Sequence, residues 1–466
     1  MATNIRIIFL VAMAALGLLC PREVQAFSSD TYTRTSALAS GRWVKISVST
    51  TGMHFIPASQ IRSWGFSGVE SVAVYGYGGE RIPDLLNSST YIDDLPKVQS
   101  VTTSDGIYFF AKGPVAWTRR SDGKFVHSLN PFSTVGYYFL SDADPTPRTI
   151  PGEGEARLSD NAATTHTAMM YHELDQVYLS KSGHMMFGED FRYTPERKFN
   201  FTFPSKVDNS GVWMTLSFAA KSISMGYLDM TANGENINGS TRPAISPTTG
   251  NNSATRVSLR RDFTISGNSL ELGLKYSSSG VVSAAHLDAI DFNYTANLEY
   301  SGASCMFTLG TSAAKLAGAS EGTHVWDVTD PLNILAMNTT ATPDGGLAWV
   351  NSYSGWRNYV AWNGSQSLPQ PQYVCAVPNQ NLHGITDTPD MLILTTPVLA
   401  SQAERIANLH RNGPFKLNVL VVDHSLVFDE FTSGLYDVNA YRRFAKMLYD
   451  LSLIHISEPT RPISIS

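Results

Sequence analysis

The stretch that decides the fold is Asp390-Met-Leu-Ile-Leu-Thr-Thr396, an apolar run of strand length near the end of the chain. After Pro397, apolar residues recur at three- and four-residue spacing as far as His410, which predicts a helix. Leu417-Asn-Val-Leu-Val-Val-Asp423 is nearly all apolar, as a parallel strand covered on both faces must be. A second helical face follows Asp437, a predicted N-cap. Strand, helix, strand and helix together predict the start of an α/β domain with a parallel sheet.

Two parallel strands cannot bury a sheet by themselves, so we expect this α/β domain, residues 386–450, to be truncated. The last residues, 451–466, do not continue the pattern and contain two prolines. Their sequence resembles the translation of a sequencing adapter. We therefore interpret them as an artefact and leave them out of the fold prediction.

The composition of the 466-residue chain indicates β-rich, extracytoplasmic domains. Hydrophobic residues make up 43% of the chain and charged residues only 16%, which is below the usual quarter. The net charge is −6, and Lys and Arg form no long cluster. This charge balance argues against a nucleic acid partner.

The N-terminus has the pattern of a secretory signal peptide. Arg6 precedes an apolar run from Ile7 to Leu19 that is too short to span a bilayer. Val24-Gln-Ala26 supplies the small residues of a cleavage site, so residues 1–26 are predicted to be a cleaved signal peptide that directs export. The alternative is a lipoprotein anchor at Cys20, which the flanking Leu and Pro disfavour.

The rest of the chain is predicted to be mostly β. Residues 27–142 show short strands separated by turn residues, which indicates an antiparallel β domain. Residues 143–165 are rich in Pro, Gly, Asp and Ala and are predicted to form a linker or long loop. Residues 166–385 contain alternating runs such as Lys198-Phe-Asn-Phe-Thr-Phe203, which predict a β-sandwich. The predicted fold is thus a β domain and a sandwich, followed by the truncated α/β domain.

Two cysteines, Cys305 and Cys375, remain after the signal peptide. Two thiols do not make a disulfide scaffold, and we interpret both as small buried hydrophobic side chains, with their pairing left open. Neither has metal-ligand spacing, so no zinc site is expected. A catalytic dyad of Cys375 with His383 or His424 is an alternative that requires them to meet in space.

His424 is a candidate residue of a substrate cleft, because it follows Asp423 at the carboxyl end of a predicted parallel strand. The alternative is a loop histidine that helps to cap the next segment. His383 is expected to pack or hydrogen-bond at the domain junction. No cofactor is predicted, although carboxylates in a sandwich of this kind can bind a structural calcium ion. The residues considered for calcium are Asp288, Asp291, Asp327 and Asp330.

The hexapeptide Asn379-Gln-Asn-Leu-His-Gly384, leading into the strand at Asp390, resembles the entry to the peptidase domain of gingipain-type cysteine peptidases. Other stretches follow in the order of that family, and the likeness covers residues 41–450. These stretches are Gly41-Arg-Trp-Val-Lys-Ile-Ser-Val48, Val74-Tyr-Gly-Tyr-Gly-Gly79, Phe187-Gly-Glu189, His286-Leu-Asp288, Trp326-Asp-Val-Thr-Asp330 and Glu430-Phe431.

Within that family, the sequence resembles more specifically the cell-surface sortases of the type IX secretion system of Bacteroidetes. It implies a caspase-like α/β domain that uses a cysteine nucleophile and a histidine base. It also implies removal of C-terminal signals from secreted cargo, acyl transfer to lipopolysaccharide, and contact with other secretion components. The location that it implies is the outer membrane surface or the extracellular space. In the family the catalytic residues lie on later strands, so we expect them beyond Asp450 and carry none over. The alternatives are a secreted digestive protease of this superfamily and a non-enzymatic adhesion protein.

Overall fold

The computed structural model describes residue 27, residues 29–180 and residues 185–452. The predicted signal peptide, 1–26, and nearly all of the predicted artefact, 451–466, lie outside this part. The chain forms two compact units. Among the described residues, the β unit comprises those within Val44–Arg81 and Lys97–Cys375, and the α/β unit comprises those up to Trp43, Ile82–Pro96 and those from Ala376 onward. In the described part, no helix is long and apolar enough to cross a membrane.

The first part of the β unit contains eight strands and one short helix. They are β1 (Trp43–Val48), β2 (Gly52–Pro57), α1 (Ala58–Ser63), β3 (Ala73–Gly78), β4 (Ser100–Thr102), β5 (Gly106–Ala111), β6 (Val115–Arg119), β7 (Phe125–Leu129) and β8 (Gly136–Ser141). The strand pairs β1–β8, β8–β3, β2–β5 and β5–β4 enclose one apolar core with Ile46, Val74 and Phe109 at its centre. This arrangement confirms the predicted antiparallel β domain.

The middle of the β unit is a two-layer sandwich, as predicted. Its strands are β9 (Gly152–Glu153), β10 (Thr165–Glu173), β11 (Glu196–Thr202), β12 (Gly211–Ser222), β13 (Gly226–Ala232), β14 (Glu235–Asn236), β15 (Ala244–Ile245), β16 (Thr255–Thr264), β17 (Ser269–Ser278) and β18 (Val282–Asn297). The layer β16-β12-β18-β10 packs on the layer β11-β17-β13-β14. Alternate residues such as Met214, Leu272 and Phe292 fill the space between the layers, as sheet-on-sheet packing requires.

The last strands of the β unit extend the first layer and add a small third sheet. They are β19 (Cys305–Leu309), β20 (Ala313–Ala317), β21 (His324–Asp327), β22 (Leu335–Met337), β23 (Thr340–Ala341), β24 (Gly346–Val350), β25 (Arg357–Trp362) and β26 (Gln372–Val377). The extended sheet has nine strands in the order β16-β12-β18-β10-β19-β25-β21-β22-β9. Leu316, Trp349 and Tyr359 form the centre of a further apolar core.

The segment 143–165, predicted to be a linker or long loop, lies wholly within the β unit. It contributes β9 to the nine-stranded sheet, and its backbone bonds to other strands. The N–H of Glu155 donates to the carbonyl of Val350 at 2.8 Å, and the N–H of Ala163 donates to that of Ala313 at 2.9 Å. Because these backbone groups are satisfied by the sheets, the loop is part of the β unit.

The α/β unit contains the predicted parallel pair of strands. Its elements are β27 (Met391–Thr395), α2 (Ala400–Arg411), β28 (Val419–Asp423), α3 (His424–Phe431) and α4 (Asn439–Asp450). β27 and β28 pair in parallel from Met391↔Val419 to Thr395↔Asp423. The short helix α3 was not predicted. Val427 and Phe431 of α3 pack with Phe444 of α4 in a core that also buries Tyr32 of the N-terminal segment and Leu382 of the entry loop.

Candidate functional site

The carboxyl end of β28 leads directly into α3. The side chain of Asp423 accepts a hydrogen bond from the N–H of Ser425 at 2.9 Å and so caps α3. His424 is the first residue of the helix and is half-buried. Its Nδ1 lies 3.1 Å from the hydroxyl of Tyr441. His424 therefore lies at the predicted strand end, but it is neither a loop residue nor the cap, and its place in a substrate cleft stays a prediction.

The polar centre of the α/β unit is a buried histidine between carboxylates. Nδ1 of His383 lies 2.5 Å from Oε2 of Glu430, and Nε2 lies 3.2 Å from Oδ1 of Asp93. The imidazole and the Glu430 carboxylate are both fully buried. The ring also stacks on Phe431 at 4.5 Å. We call His383, Glu430, Asp93 and Asp94 the His383 cluster.

The carboxylates of the His383 cluster also bind backbone groups from several parts of the chain. Oε1 of Glu430 accepts the N–H of Leu382 at 2.8 Å, and Oε2 accepts the N–H of His383 at 3.1 Å. Oδ2 of Asp94 accepts the N–H of Ala37 at 2.5 Å. These bonds join the N-terminal segment, the segment 82–96 and α3 at one point.

The electrostatics of the His383 cluster favour an imidazolium ion. Burial would lower the pKa of His383, but the hydrogen bonds that its ring donates to Asp93 and Glu430, together with the charge of Asp94, raise it to about 9. Burial raises the pKa of Asp94 to about 6, against the opposing effect of His383. At neutral pH the cluster is thus a positive ring surrounded by carboxylates.

Asp94, His383 and Glu430 form the one group of described side chains with metal-ligand spacing. The imidazole, however, is bonded to carboxylates through both nitrogens, and Glu430 additionally accepts the side-chain N–H of Gln380 at 3.0 Å. A histidine ligand must be neutral and must direct a free lone pair at the metal. The arrangement therefore fits an ion cluster better than a metal site.

This cluster was not predicted as a site, although His383 was expected to bond or pack near the domain junction. His383 and Glu430 both lie in stretches that carried the family resemblance, whereas Asp93 and Asp94 lie outside those stretches. The acidic pair Asp93-Asp94 in an otherwise mixed loop was the one feature that could have pointed to a buried basic partner.

The cysteines do not form the alternative dyad with His383. Both ring nitrogens of His383 are bonded to carboxylates, so this imidazole is not a base for Cys375. No disulfide joins Cys305 and Cys375. Cys375 is exposed on β26 and Cys305 is half-buried, so the prediction of two buried thiols is wrong for Cys375. Burial raises the pKa of Cys305 to about 11, which keeps it a thiol at neutral pH.

The four aspartates considered for calcium are engaged with protein groups. Asp288 pairs with Arg256 at 2.5 Å and Asp327 pairs with Arg357 at 2.6 Å. Asp291 lies 2.6 Å from Nδ1 of His127. The remaining carboxylate, Asp330, accepts the N–H of Leu332 at 3.0 Å in a local turn. The structure therefore does not bring these four side chains together as one calcium site.

Residues 385–458 match the family model of peptidase family C25. The match begins at the entry to the α/β unit and contains β27, β28 and the three helices between residues 400 and 450. The α/β unit therefore contains a segment of a C25, or gingipain-family, peptidase domain, and the predicted resemblance is confirmed.

The particular protein that the chain resembles is PorU. The structure of the chain is similar to the crystal structure of dimeric latent PorU from Porphyromonas gingivalis, with a TM-score of 0.80 and 29% sequence identity. The similarity covers 90% of this chain and 40% of that chain, so the present chain spans about two fifths of PorU. The chain therefore has a PorU-like structure and contains a segment that matches peptidase family C25.

The other similar structures share too little to inform function. A cycloisomaltooligosaccharide glucanotransferase of Paenibacillus sp. matches at 10% identity over 46% of this chain and 47% of that chain, with a TM-score of 0.18. A cycloalternan-forming enzyme of Listeria monocytogenes matches at 10% identity over 55% of this chain and 20% of that chain, with a TM-score of 0.20. None of the curated proteins matches the chain.

Proposed function

We propose that the chain is the N-terminal portion of an exported gingipain-type cysteine peptidase that acts as a sortase. The observation that carries this proposal is the PorU-like fold over 90% of the chain, combined with a C25 segment at residues 385–458. In this proposal the β unit is the scaffold and the α/β unit begins the peptidase domain. The carboxyl ends of β27 and β28 border the substrate cleft, with His424 on its wall.

The proposed reaction is thiolate attack on a peptide carbonyl of a secreted cargo protein, with release of its C-terminal signal. The acyl group then passes to an amine of lipopolysaccharide or to water. The partners in this proposal are cargo with C-terminal signals, lipopolysaccharide and other type IX secretion components at the outer membrane surface.

We further propose that the 466-residue chain has no peptidase activity by itself. Cys305 is kept as a thiol by its raised pKa of about 11, and both nitrogens of His383 are bonded to carboxylates. A peptidase of this type needs a reactive thiolate and a histidine that can protonate the leaving amine. We assign neither role to a residue up to Asp450.

The test compares the purified chain with the product of an extended reading frame on a reporter that has a C-terminal signal. We expect alkylation-sensitive shortening of the reporter by the extended protein and none by the chain. Cleavage by the chain that is abolished in Cys375→Ala would contradict the proposal. Equal cleavage of a reporter without the signal would favour the digestive protease. A longer frame that cleaves neither reporter would favour the adhesion protein.

A further inference from the structure

The nine-stranded sheet of the β unit is interrupted between β10 and β19. β10 pairs with β18 along its whole length, from Thr165 to Glu173, but with β19 only at Thr167↔Thr308. β10 is the fourth of nine strands, yet each of its residues is half-exposed or exposed. An interior strand of a continuous sheet would be covered on both sides. Beyond Thr167, β10 therefore has an open edge, which is a template for another strand.

A cavity of about 730 Å³ opens at this interruption, and we call it the β10–β19 cleft. Both strands and β6 contribute aromatic and thioether side chains to its wall. Tyr171 is 36% exposed and Met306 is 42% exposed, although both lie on interior strands. Trp117 contacts Tyr171 edge to face at 6.0 Å. Such a surface suits alternate apolar side chains of a bound strand, because rings and thioethers adapt to varied shapes.

The wall of the β10–β19 cleft also contains a polar side chain. His166 lines the cavity, and its buried Nδ1 has no hydrogen-bond partner among the described residues. Burial lowers the pKa of this histidine, so the ring is neutral at neutral pH. A neutral imidazole adds no charge to the wall of the cleft.

The charge of the β10–β19 cleft favours a basic ligand. Glu80 and Lys112 line the cavity and pair with each other. Glu299 accepts a hydrogen bond from the hydroxyl of Ser205 at 2.5 Å, and no described basic side chain forms an ion pair with it. The cleft therefore has one carboxylate more than it has basic side chains, and this carboxylate complements a Lys or Arg in a partner.

We propose that the β10–β19 cleft binds an extended peptide. The peptide adds as a strand to the edge of β10 from Ala168 to Glu173. Its alternate apolar side chains contact Trp117 and Met306, and a basic side chain lies near Glu299. In strand addition the main-chain hydrogen bonds give affinity and the pockets for alternate side chains give specificity. The proposal concerns the β unit alone and does not depend on the proposed peptidase activity.

The probe is a fluorescein-labelled, capped hexapeptide, Thr-Val-Lys-Val-Thr-Val, whose binding to the full chain is followed by fluorescence anisotropy. We expect saturable binding that weakens at least about tenfold in Met306→Arg, which places a positive charge and extra bulk in the cleft. The matched control is Ile223→Arg, because Ile223 is 78% exposed and does not line the cleft. Glu299→Gln should weaken binding about threefold and reduce its salt dependence.

A second peptide separates strand addition from simple apolar contact. In Thr-Val-Lys-Pro-Thr-Pro the prolines remove N–H groups that a paired strand donates, so we expect at least about tenfold weaker binding. Equal binding of the two peptides, or equal loss in Met306→Arg and Ile223→Arg, would overturn the proposal. So would the absence of saturable binding to the unaltered chain.

Discussion

At the scale of single residues, the feature that matters most is the fully buried His383 between Glu430 and Asp93. Removing a charged partner from such a cluster leaves an uncompensated buried charge, which is far more costly than losing a surface ion pair. The same burial makes the cluster sensitive to pH. Folding raises the pKa of His383 from 6.5 to about 9. The folded protein therefore keeps a proton on this ring at pH values at which the unfolded chain has already released it.

The sign of this pH dependence follows directly. The contribution of His383 to the free energy of unfolding is complete below pH 6.5 and is lost as the pH rises through about 9. Asp94 acts in a lower window. Its raised pKa means that the folded state loses stability as the pH rises from 3.8 to about 6, and its contribution is constant above that range.

We therefore expect His383→Asn to reduce the free energy of unfolding by on the order of 3 kcal/mol below pH 6.5 and by much less above pH 9. The measurement is urea denaturation followed by the circular dichroism of the helices, of which α2 to α4 lie in the α/β unit. His424→Asn, at a half-buried site, is the matched control. A difference between His383→Asn and the unaltered protein that stays constant across this pH range would show that the ring acts only through packing.

At the scale of elements, the predictable parts were those with local periodicity. The strands β27 and β28, the helices α2 and α4, and the alternating sandwich strands follow from spacing within a few residues. The helix α3 escaped prediction because its eight residues are too short for a clear period and five of them are buried. Its start depends on Asp423, which closes a strand and caps a helix at the same time.

We expect Asp423→Ala to destabilise the α/β unit by about 1 kcal/mol, because the N–H of Ser425 loses its acceptor. Asp423→Asn should retain most of the stability, since an amide oxygen can accept the same bond. The control is Asp387→Ala in an exposed loop. Urea denaturation monitored by the helical signal checks all three variants, and equal effects of Asp423→Ala and Asp387→Ala would refute the capping role.

The candidate site was harder to predict than the elements because its parts are far apart in the sequence. His383 bonds to Glu430 47 residues away and to Asp93 290 residues away. No local pattern encodes such pairings. The open edge of β10 was also invisible in the sequence, because its pairing partners β18 and β19 lie far away along the chain.

At the scale of the whole molecule, the chain builds the α/β unit from three separate segments. The N-terminal segment contributes Tyr32, whose hydroxyl donates to Asp450 at 2.7 Å. The segment 82–96 contributes Ile92, whose carbonyl accepts from Arg443 at 3.4 Å. A parallel pair of strands is too small to be stable alone, and these segments supply part of the missing burial. This assembly also explains why contiguous boundaries at residues 142 and 385 do not describe the compact units.

The central claim is that these three segments form one cooperative unit held at the His383 cluster. The most direct test is hydrogen exchange followed by mass spectrometry on the full chain and on Glu430→Ala. We predict that peptides from residues 29–43, 82–96 and 376–452 lose protection together in the variant, while peptides from 44–81 and 97–375 keep theirs. Loss of protection confined to residues 376–452, or spread evenly over the chain, would contradict the account.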